Sequence, residues 1–477
     1  MSPFKKSILA VIVSGSIIWS GCKIPALVQS PEQKALPSSY GNTEDTVNAA
    51  TIQWSKFFSD KYLSGLIDTA LKNNQELLIT WQEIEIARND IRVRQGKLLP
   101  MVTGGGGIGI DKVGRYTSQG AGDASTEIKP GKEVPEWLPD YRIGVHANWE
   151  ADVWKKLRNA KKAAVTRYLA TIEGKNFIVT NLIAEIANSY YELLALDNQL
   201  DIVRQTIQLQ RNALEIVKVQ KQAARVTELG VKKFEAEVLR SQSLEFDILQ
   251  KIKGTENEIN FLLGRYPQSI DRDRSFFLNL IPQQVQTGIP SQLLKNRPDI
   301  KQAELELSAA QLDVKGARAE FYPSFEISSS LGFNAFKPDY LVKFPESLLF
   351  SLAGDLAGPL INKNAIKAEF NNANARQLQA LYNYERTILN AYIEVSTGLS
   401  DLSNLEQAYN LKAKQVEALT TSIDISNDLF KSARADYFEV LMTQRDALES
   451  KLELIETKLR QFNSVTNIYR ALGGGWN

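Results

Sequence analysis

Tyr141-Arg142-Ile143-Gly144-Val145-His146-Ala147-Asn148-Trp149-Glu150 alternates apolar and polar residues without a break. Successive side chains of a strand point to opposite faces, so 141, 143, 145, 147 and 149 share one apolar side. A second stretch has the same habit. Phe325, Ile327, Leu331, Phe333 and Ala335 alternate with Glu326, Ser328, Ser330, Gly332 and Asn334. Two weaker segments, 102–111 and 348–356, are rich in Gly or continuously apolar and alternate only in part. Alternation over about nine to eleven residues suits a transmembrane barrel strand. On periodicity alone it suits a half-buried strand of a soluble sheet equally well.

The N-terminus favours the barrel. Phe4-Lys5-Lys6, an apolar run from Ile8 to Trp19 and then Ser20-Gly21-Cys22 form a signal peptide over 1–21. That run is too short to span a bilayer as a helix. No later run of 18 apolar residues follows, so a membrane-spanning form of this chain must use strands. Cys22 is the single cysteine, which excludes an intrachain disulfide. A lone Cys directly after a signal segment is the acceptor position of a bacterial lipoprotein. Acylation there would anchor the mature N-terminus, although Trp19 stands where Leu is usual. Four strands cannot close a barrel, because known single-chain barrels start at eight. Their edges must pair with other copies in lipid. Three copies give twelve strands, whereas two give eight with little room for a channel.

Outward from the strands, proline draws the map. None occurs between Pro139 and Pro267, and none after Pro359. A continuous helix from 155 to 222 would be roughly 100 Å long. Ile186, Leu193, Leu200, Ile207 and Leu214 recur every seventh residue, with Leu196, Val203 and Val217 on the partner positions. Leu381, Ile388, Val395, Leu402, Tyr409, Val416, Ile423 and Phe430 do the same later in the chain. Such seams predict coiled-coil packing. Asp197, Arg204, Arg211 and Lys218 flank the first seam and read as a solvated charged stripe. Turns near 223–230 and 431–437 send each long helix back as a hairpin.

The chain is written twice. Asn73-Asn74-Gln75-Glu76-Leu77 matches Asn296-Arg297-Pro298-Asp299-Ile300 at an offset of 223. Ala224-Arg225 matches Ala433-Arg434, and Leu263-Gly264 matches Leu472-Gly473, at 209. The organisation expected is a signal peptide (1–21), a lipid-anchored extension (22–60) and a first repeat (61–263). The first repeat holds strands near 101–111 and 141–150 and a helical hairpin over 155–263. A linker (264–295) leads to the second repeat (296–472), with strands near 324–336 and 348–356 and a hairpin over 362–472, then a tail (473–477). The connection 112–140 is about twenty residues longer than its counterpart 337–347, as outer-face barrel loops are.

Composition excludes several classes. A net charge of +1 with 23% charged residues is no nucleic-acid binder's balance. There is no Walker loop, no nucleophile elbow and no Cys/His metal cluster, so neither an enzyme nor a cofactor is expected. His146, the one histidine, lies among polar strand neighbours as a wall residue. Gly104 to Gly107 reads as close strand packing rather than a phosphate loop. Three methionines make a poor thioether copper path.

Several motifs converge on one family. Asn296-Arg297-Pro298-Asp299-Ile300, Ala303-Glu304, Gly316-Ala317-Arg318-Ala319 and Phe321-Tyr322-Pro323-Ser324-Phe325 resemble the central signature of the TolC-like outer-membrane efflux proteins. Tyr469-Arg470-Ala471-Leu472-Gly473-Gly474-Gly475-Trp476 is similar to the ending of their NodT-type lipoprotein branch. Trp149-Glu150-Ala151-Asp152-Val153-Trp154 resembles their strand-to-helix segment, and Asp436-Tyr437-Phe438-Glu439-Val440-Leu441 their second helical tip. The resemblance implies a mainly α protomer with a small β-barrel portion. Three protomers would form a twelve-stranded barrel in the outer membrane over a periplasmic helical tunnel. It implies a homotrimer, a periplasmic adaptor protein, a proton-driven inner-membrane pump and an anchor in outer-membrane lipid at Cys22. It also implies an iris-like gate at the tips, with Asp436 and Glu439 as aperture acids. Met442 stands where some relatives carry a further acid, and Phe430 where a Tyr hydroxyl serves in closing. Arg225, Thr227, Glu228, Phe430, Arg434 and Tyr437 would form tip contacts and dock the adaptor, with ion pairs among Arg225, Glu228, Arg434 and Asp436. A conduit for protein secretion and a lipid-anchored coiled-coil scaffold without a pore are the alternative readings.

Overall fold

A computed structural model describes residues 36–40, 47–273, 285–359, 363–432 and 434–476, with Ala26, Phe277, Pro282 and Ile361 as single positions. The expected signal peptide and Cys22 lie outside the described residues, as does Ala433. Proline spacing sets the longest elements. The principal elements are α1 (Lys61–Asn73), α2 (Gln75–Gly96), β1 (Met101–Asp111), β2 (Leu138–Glu150), α3 (Lys156–Gln222), α4 (Glu228–Leu262), α5 (Pro298–Ala319), β3 (Ser324–Ala335), β4 (Leu348–Ala357), α6 (Asn364–Lys431) and α7 (Tyr437–Ala471). The two Pro-free stretches yield α3 with 67 residues and α6 with 68. Helix, strand, strand, long helix and return helix thus occur in the same order twice.

The chain divides into two compact units. One holds Ile86–Tyr168 and Leu305–Leu381, the other Glu32–Glu85, Leu169–Glu304 and Tyr382–Asn477. Each draws on both sequence repeats, so the units cut across the repeat boundaries. A repeat that cannot bury its own apolar face must pack against its counterpart.

The first unit carries an antiparallel sheet in the order β1–β2–β3–β4. Val145 stands opposite Gly104 and Leu331, and Leu331 stands opposite Phe350. Ile143 stands opposite Gly106 and Phe333, and Phe333 opposite Leu348. Directly opposed residues share a face. One face is therefore apolar on all four strands, and it is bare: Ile108 is 79% exposed and Leu352 77%. The other face carries Arg142, His146, Asn148, Ser328, Ser330 and Asp355. Gly144 and Gly332 let β2 and β3 approach closely, since a Cβ on Gly144 would come within 2.7 Å of the Gly332 Cα. The long connection after β1 is not irregular. It contains a helix, Ser118–Ser125, capped by Thr117, and a short hairpin of Glu127–Lys129 with Lys132–Glu133.

In the second unit the first heptad seam is core. Ile186, Leu193, Leu200, Ile207 and Leu214 are all buried, as are Leu196, Val203 and Val217. Asp197 departs from the solvated stripe expected of it. It is buried and accepts from Arg272 at 2.5 and 3.0 Å, while Arg272 also donates to Glu256 at 2.8 Å. Arg204 keeps to the surface and pairs with Glu245 at 2.8 Å. Near α1, the Tyr469 ring stacks on Phe57 at 3.9 Å and its hydroxyl donates to the Ile52 carbonyl at 2.6 Å.

The two signature blocks meet in this unit. The Arg297 side chain is buried and donates to Asp299 at 2.7 and 3.0 Å, to Glu394 at 2.7 Å and to the Ala471 carbonyl at 2.9 Å. Trp476 Nε1 donates to the Asn296 carbonyl at 3.1 Å. The Arg-Pro-Asp-Ile block and the glycine-rich ending are thus one structural joint.

Candidate functional site

The second unit places the expected tip residues at two matching turns. α3 ends with Ala224 at φ 56, where the Arg225 N–H reaches the Gln220 carbonyl at 2.9 Å and the Ala224 N–H the Lys221 carbonyl at 2.9 Å. This is the double-bonded C-terminal turn that closes a helix by a left-handed residue. At the second tip the Arg434 N–H reaches Leu429 at 2.8 Å in the same way. The return helices start alike. Thr227 caps α4 by accepting from the Gly230 N–H, and Asp436, its counterpart at offset 209, caps α7 by accepting from Phe438 and Glu439 at 2.8 and 3.0 Å. A carboxylate there meets the free N–H groups and positive end of the helix.

The duplication breaks one turn later. Gly230 and Glu439 occupy matching positions. Gly230 is buried, and a Cβ there would come within 3.4 Å of the Tyr437 ring. Glu439 is exposed, and its carboxylate has no partner among the described residues. Among the described residues, the second tip presents a free carboxylate at this level and the first does not.

The tips join through apolar contacts. Leu214, Val217, Val231, Phe234, Val440 and Leu441 form a buried cluster, with Phe430 and Tyr437 packed against it. Lys233 Nζ lies 5.1 Å from the Phe438 ring centre. The ion pairs differ from those expected. Glu228 pairs with Lys221, whose hydrogen bond and charge hold the Glu228 carboxyl below its usual range. Asp436 is taken up as a helix cap, and Arg225 and Arg434 stand exposed. Local geometry decides this, since Lys221 in the last turn of α3 and Glu228 at the first position of α4 flank the same tight bend.

The strand-to-helix segment of the first unit is also built in detail. The Asp152 carboxylate accepts from the Leu157 and Arg158 N–H groups at 2.9 Å each and from Arg158 Nε at 3.0 Å. Burial alone would raise its pKa, but these donors outweigh it and hold the carboxyl below the usual range. Trp154 Nε1 donates to the Pro323 carbonyl at 2.8 Å, and its ring stacks on Tyr322 at 4.5 Å.

A feature the sequence reading missed lies beside it. Glu326 stands opposite Glu150 on one side and Asp355 on the other. Three strands thus place carboxylates in one row on the polar face, at a cleft of ≈ 1030 Å³ also lined by Arg94, Lys97 and Lys156. Lys156 Nζ lies 2.6 Å from Glu150. The available signal was an acid near the helix-proximal, polar end of each strand.

Comparison with known proteins gives the family and the fold. The sequence model described as outer membrane efflux protein matches residues 66–265 and 289–474. The chain is similar to the pyoverdine export outer membrane protein OpmQ of Pseudomonas aeruginosa, with 26% identity over 426 residues, 89% of this chain and 87% of the other. It is similar to the cation efflux system protein CusC of Escherichia coli O6:H1, with 26% identity over 472 residues and 96% of both chains. A crystal structure of a membrane protein from Pseudomonas aeruginosa shares the fold, with a TM-score of 0.84 at 23% identity over 95% of this chain and all of the other. The chain belongs to the outer membrane efflux protein family, a family of channels and not of enzymes.

Proposed function

We propose that this chain is the outer-membrane channel of a tripartite efflux system. The observation that carries this reading is a four-stranded sheet with a bare apolar face and a polar face, flanked by helices of 67 and 68 residues. Such a face belongs in lipid, and the outer edges of β1 and β4 must find partners there. Three copies would supply twelve strands and close the barrel, with the hairpins as the periplasmic tunnel. Acylation of Cys22 would anchor the N-terminus in the same membrane.

The hairpin tips are the gate and the docking surface. Three copies of Glu439 around an axis would make a ring of exposed carboxylates that favours cations. Asp436 holds the helix start that presents it. Arg225, Thr227, Glu228, Phe430, Arg434 and Tyr437 would meet a periplasmic adaptor joined to a proton-driven inner-membrane pump. Relatives of equal similarity are named for pyoverdine and for cations. That spread supports a conduit whose cargo is selected by the pump.

Two measurements test this. The detergent-extracted protein should contain three copies by native mass spectrometry; one or two copies would sink the shared barrel. A Lys431→Cys variant cross-linked in the native envelope should capture the adaptor of a proton-driven pump. Capture of an ATP-driven secretion adaptor would move the reading to protein export.

A further inference from the structure

The two connections at the far end of the sheet from the helices gather lysines. Lys129 lies in the hairpin of the β1–β2 connection, and Lys337 and Lys343 flank the single turn Pro338–Leu341 between β3 and β4. Lys129 Nζ lies 5.4 Å and Lys343 Nζ 4.8 Å from the Tyr340 ring centre. Phe336 meets the same ring edge-on at 5.2 Å and steadies it. Lys129 lies beside the Tyr340 hydroxyl, and the charges of Lys129 and Lys132 both act on Lys337. The Tyr340 hydroxyl is drawn below its usual range, first by the Lys129 hydrogen bond and then by the charges of Lys129, Lys337 and Lys343.

The acids of these connections, Asp123, Glu127, Glu133, Glu136, Asp339 and Glu346, equal their lysines and arginines in number, so the excess of positive charge is local to the Tyr340 ring. Asp339 is the carboxylate acting on Lys129. Glu136 is engaged by Lys112 at 3.5 Å, and Glu127 accepts from the Gly131 N–H at 2.9 Å. Ammonium groups held this close repel one another unless an anion sits among them. The surroundings are apolar as well as basic: Val342 is 83% exposed and Phe344 71%. The apolar face of the sheet begins at the same end with the half-buried pair Phe333 and Leu348.

We propose that Lys129, Lys337 and Lys343, arranged around Tyr340, bind the phosphate groups of an outer-leaflet glycolipid, with Val342 and Phe344 entering its acyl layer. The site rests on the reading that this sheet spans the outer membrane with these connections outside. A free phosphate would meet only water-screened lysines, whereas a phosphorylated lipid uses the charge and the apolar rim together.

The test titrates the full chain, in an uncharged detergent, with diphosphorylated lipid A, with dephosphorylated lipid A and with inorganic phosphate as competitor. The variant Lys129→Gln/Lys337→Gln/Lys343→Gln should bind diphosphorylated lipid A on the order of a hundredfold more weakly, roughly fivefold per lysine. The matching triple Lys→Arg variant should keep binding, and millimolar inorganic phosphate should not displace the lipid. Equal binding by the Gln variant, or equal binding of dephosphorylated lipid A, would overturn the proposal. Full displacement by inorganic phosphate would make this a free-anion site and overturn the lipid assignment. Channel conductance of the same wild-type protein in planar bilayers reads the spanning claim separately. A protein that binds the lipid but conducts nothing would fail there and not here.

Discussion

Gly473 lies against the Asn296 carbonyl so closely that a Cβ would come within 2.5 Å of its oxygen, and Gly264 stands to Asn73 in the same way at 2.3 Å. Both glycines have positive φ, 92° and 67°. The duplication is thus visible in contacts as well as in sequence. Each return helix ends on the carbonyl that precedes a signature block.

Gly473→Ala should therefore lower stability by more than about 1 kcal/mol, because strain at positive φ adds to the steric clash. Thermal unfolding followed by circular dichroism reads it, with Gly254→Ala as control, since a Cβ at 254 meets nothing within 4 Å in the protomer. Equal melting of Gly473→Ala and wild type would remove the joint from its structural role.

Arg297→Met should cost about 3 kcal/mol by removing the buried guanidinium that pairs with the half-buried Asp299 and donates to the Ala471 carbonyl. Arg297→Lys should recover only part, since an ammonium cannot reproduce the two-pronged pairing with Asp299. Full recovery by Lys in a melting experiment would show that charge alone matters here.

Asp152 sets a pH dependence. Its folded pKa is depressed, so its contribution is complete above the ordinary carboxyl range and is lost as pH falls through the folded value. Asp152→Ala should cost about 1 kcal/mol at pH 7 and little once the wild-type carboxyl is protonated. A melting difference that stays constant down to strong acid would contradict this cap.

At the second tip, cap and free acid should separate. Glu439→Gln should melt like wild type, because its exposed carboxylate has no partner among the described residues, yet it should weaken cation preference in a reversal-potential measurement. Asp436→Ala should cost about 1 kcal/mol through lost capping, and Asp436→Asn should restore most of it. Unchanged selectivity in Glu439→Gln would remove that residue from the gate.

What was legible in the sequence follows from what is local. The alternation at 141–150 shows as β2 because its period is two residues and needs no partner to be read. β4 was obscure because Leu348, Leu349 and Phe350 are apolar in a row. Only the register places Leu348 and Phe350 on one face and Leu349 on the other, opposite Gly332. The heptad seam was plain, but Asp197 looked solvated because its partner Arg272 lies 75 residues away. The carboxylate row of Glu150, Glu326 and Asp355 needs the pairing of three strands before it exists at all. Likewise, Thr227 reads as a docking residue and Asp436 as an aperture acid by position, whereas the local chemistry of both is that of helix caps.

The most direct test of the central claim concerns Leu352 and Ala353, neighbours in β4 on opposite faces. Each is replaced by Cys in a Cys22→Ser chain, labelled with a fluorophore and reconstituted into phospholipid bilayers. The sheet described here predicts that spin-labelled lipid quenches the probe at 352 strongly and at 353 weakly, with water-soluble iodide giving the reverse. Equal quenching of both probes by iodide, with none by lipid, would show that the sheet does not lie in the membrane.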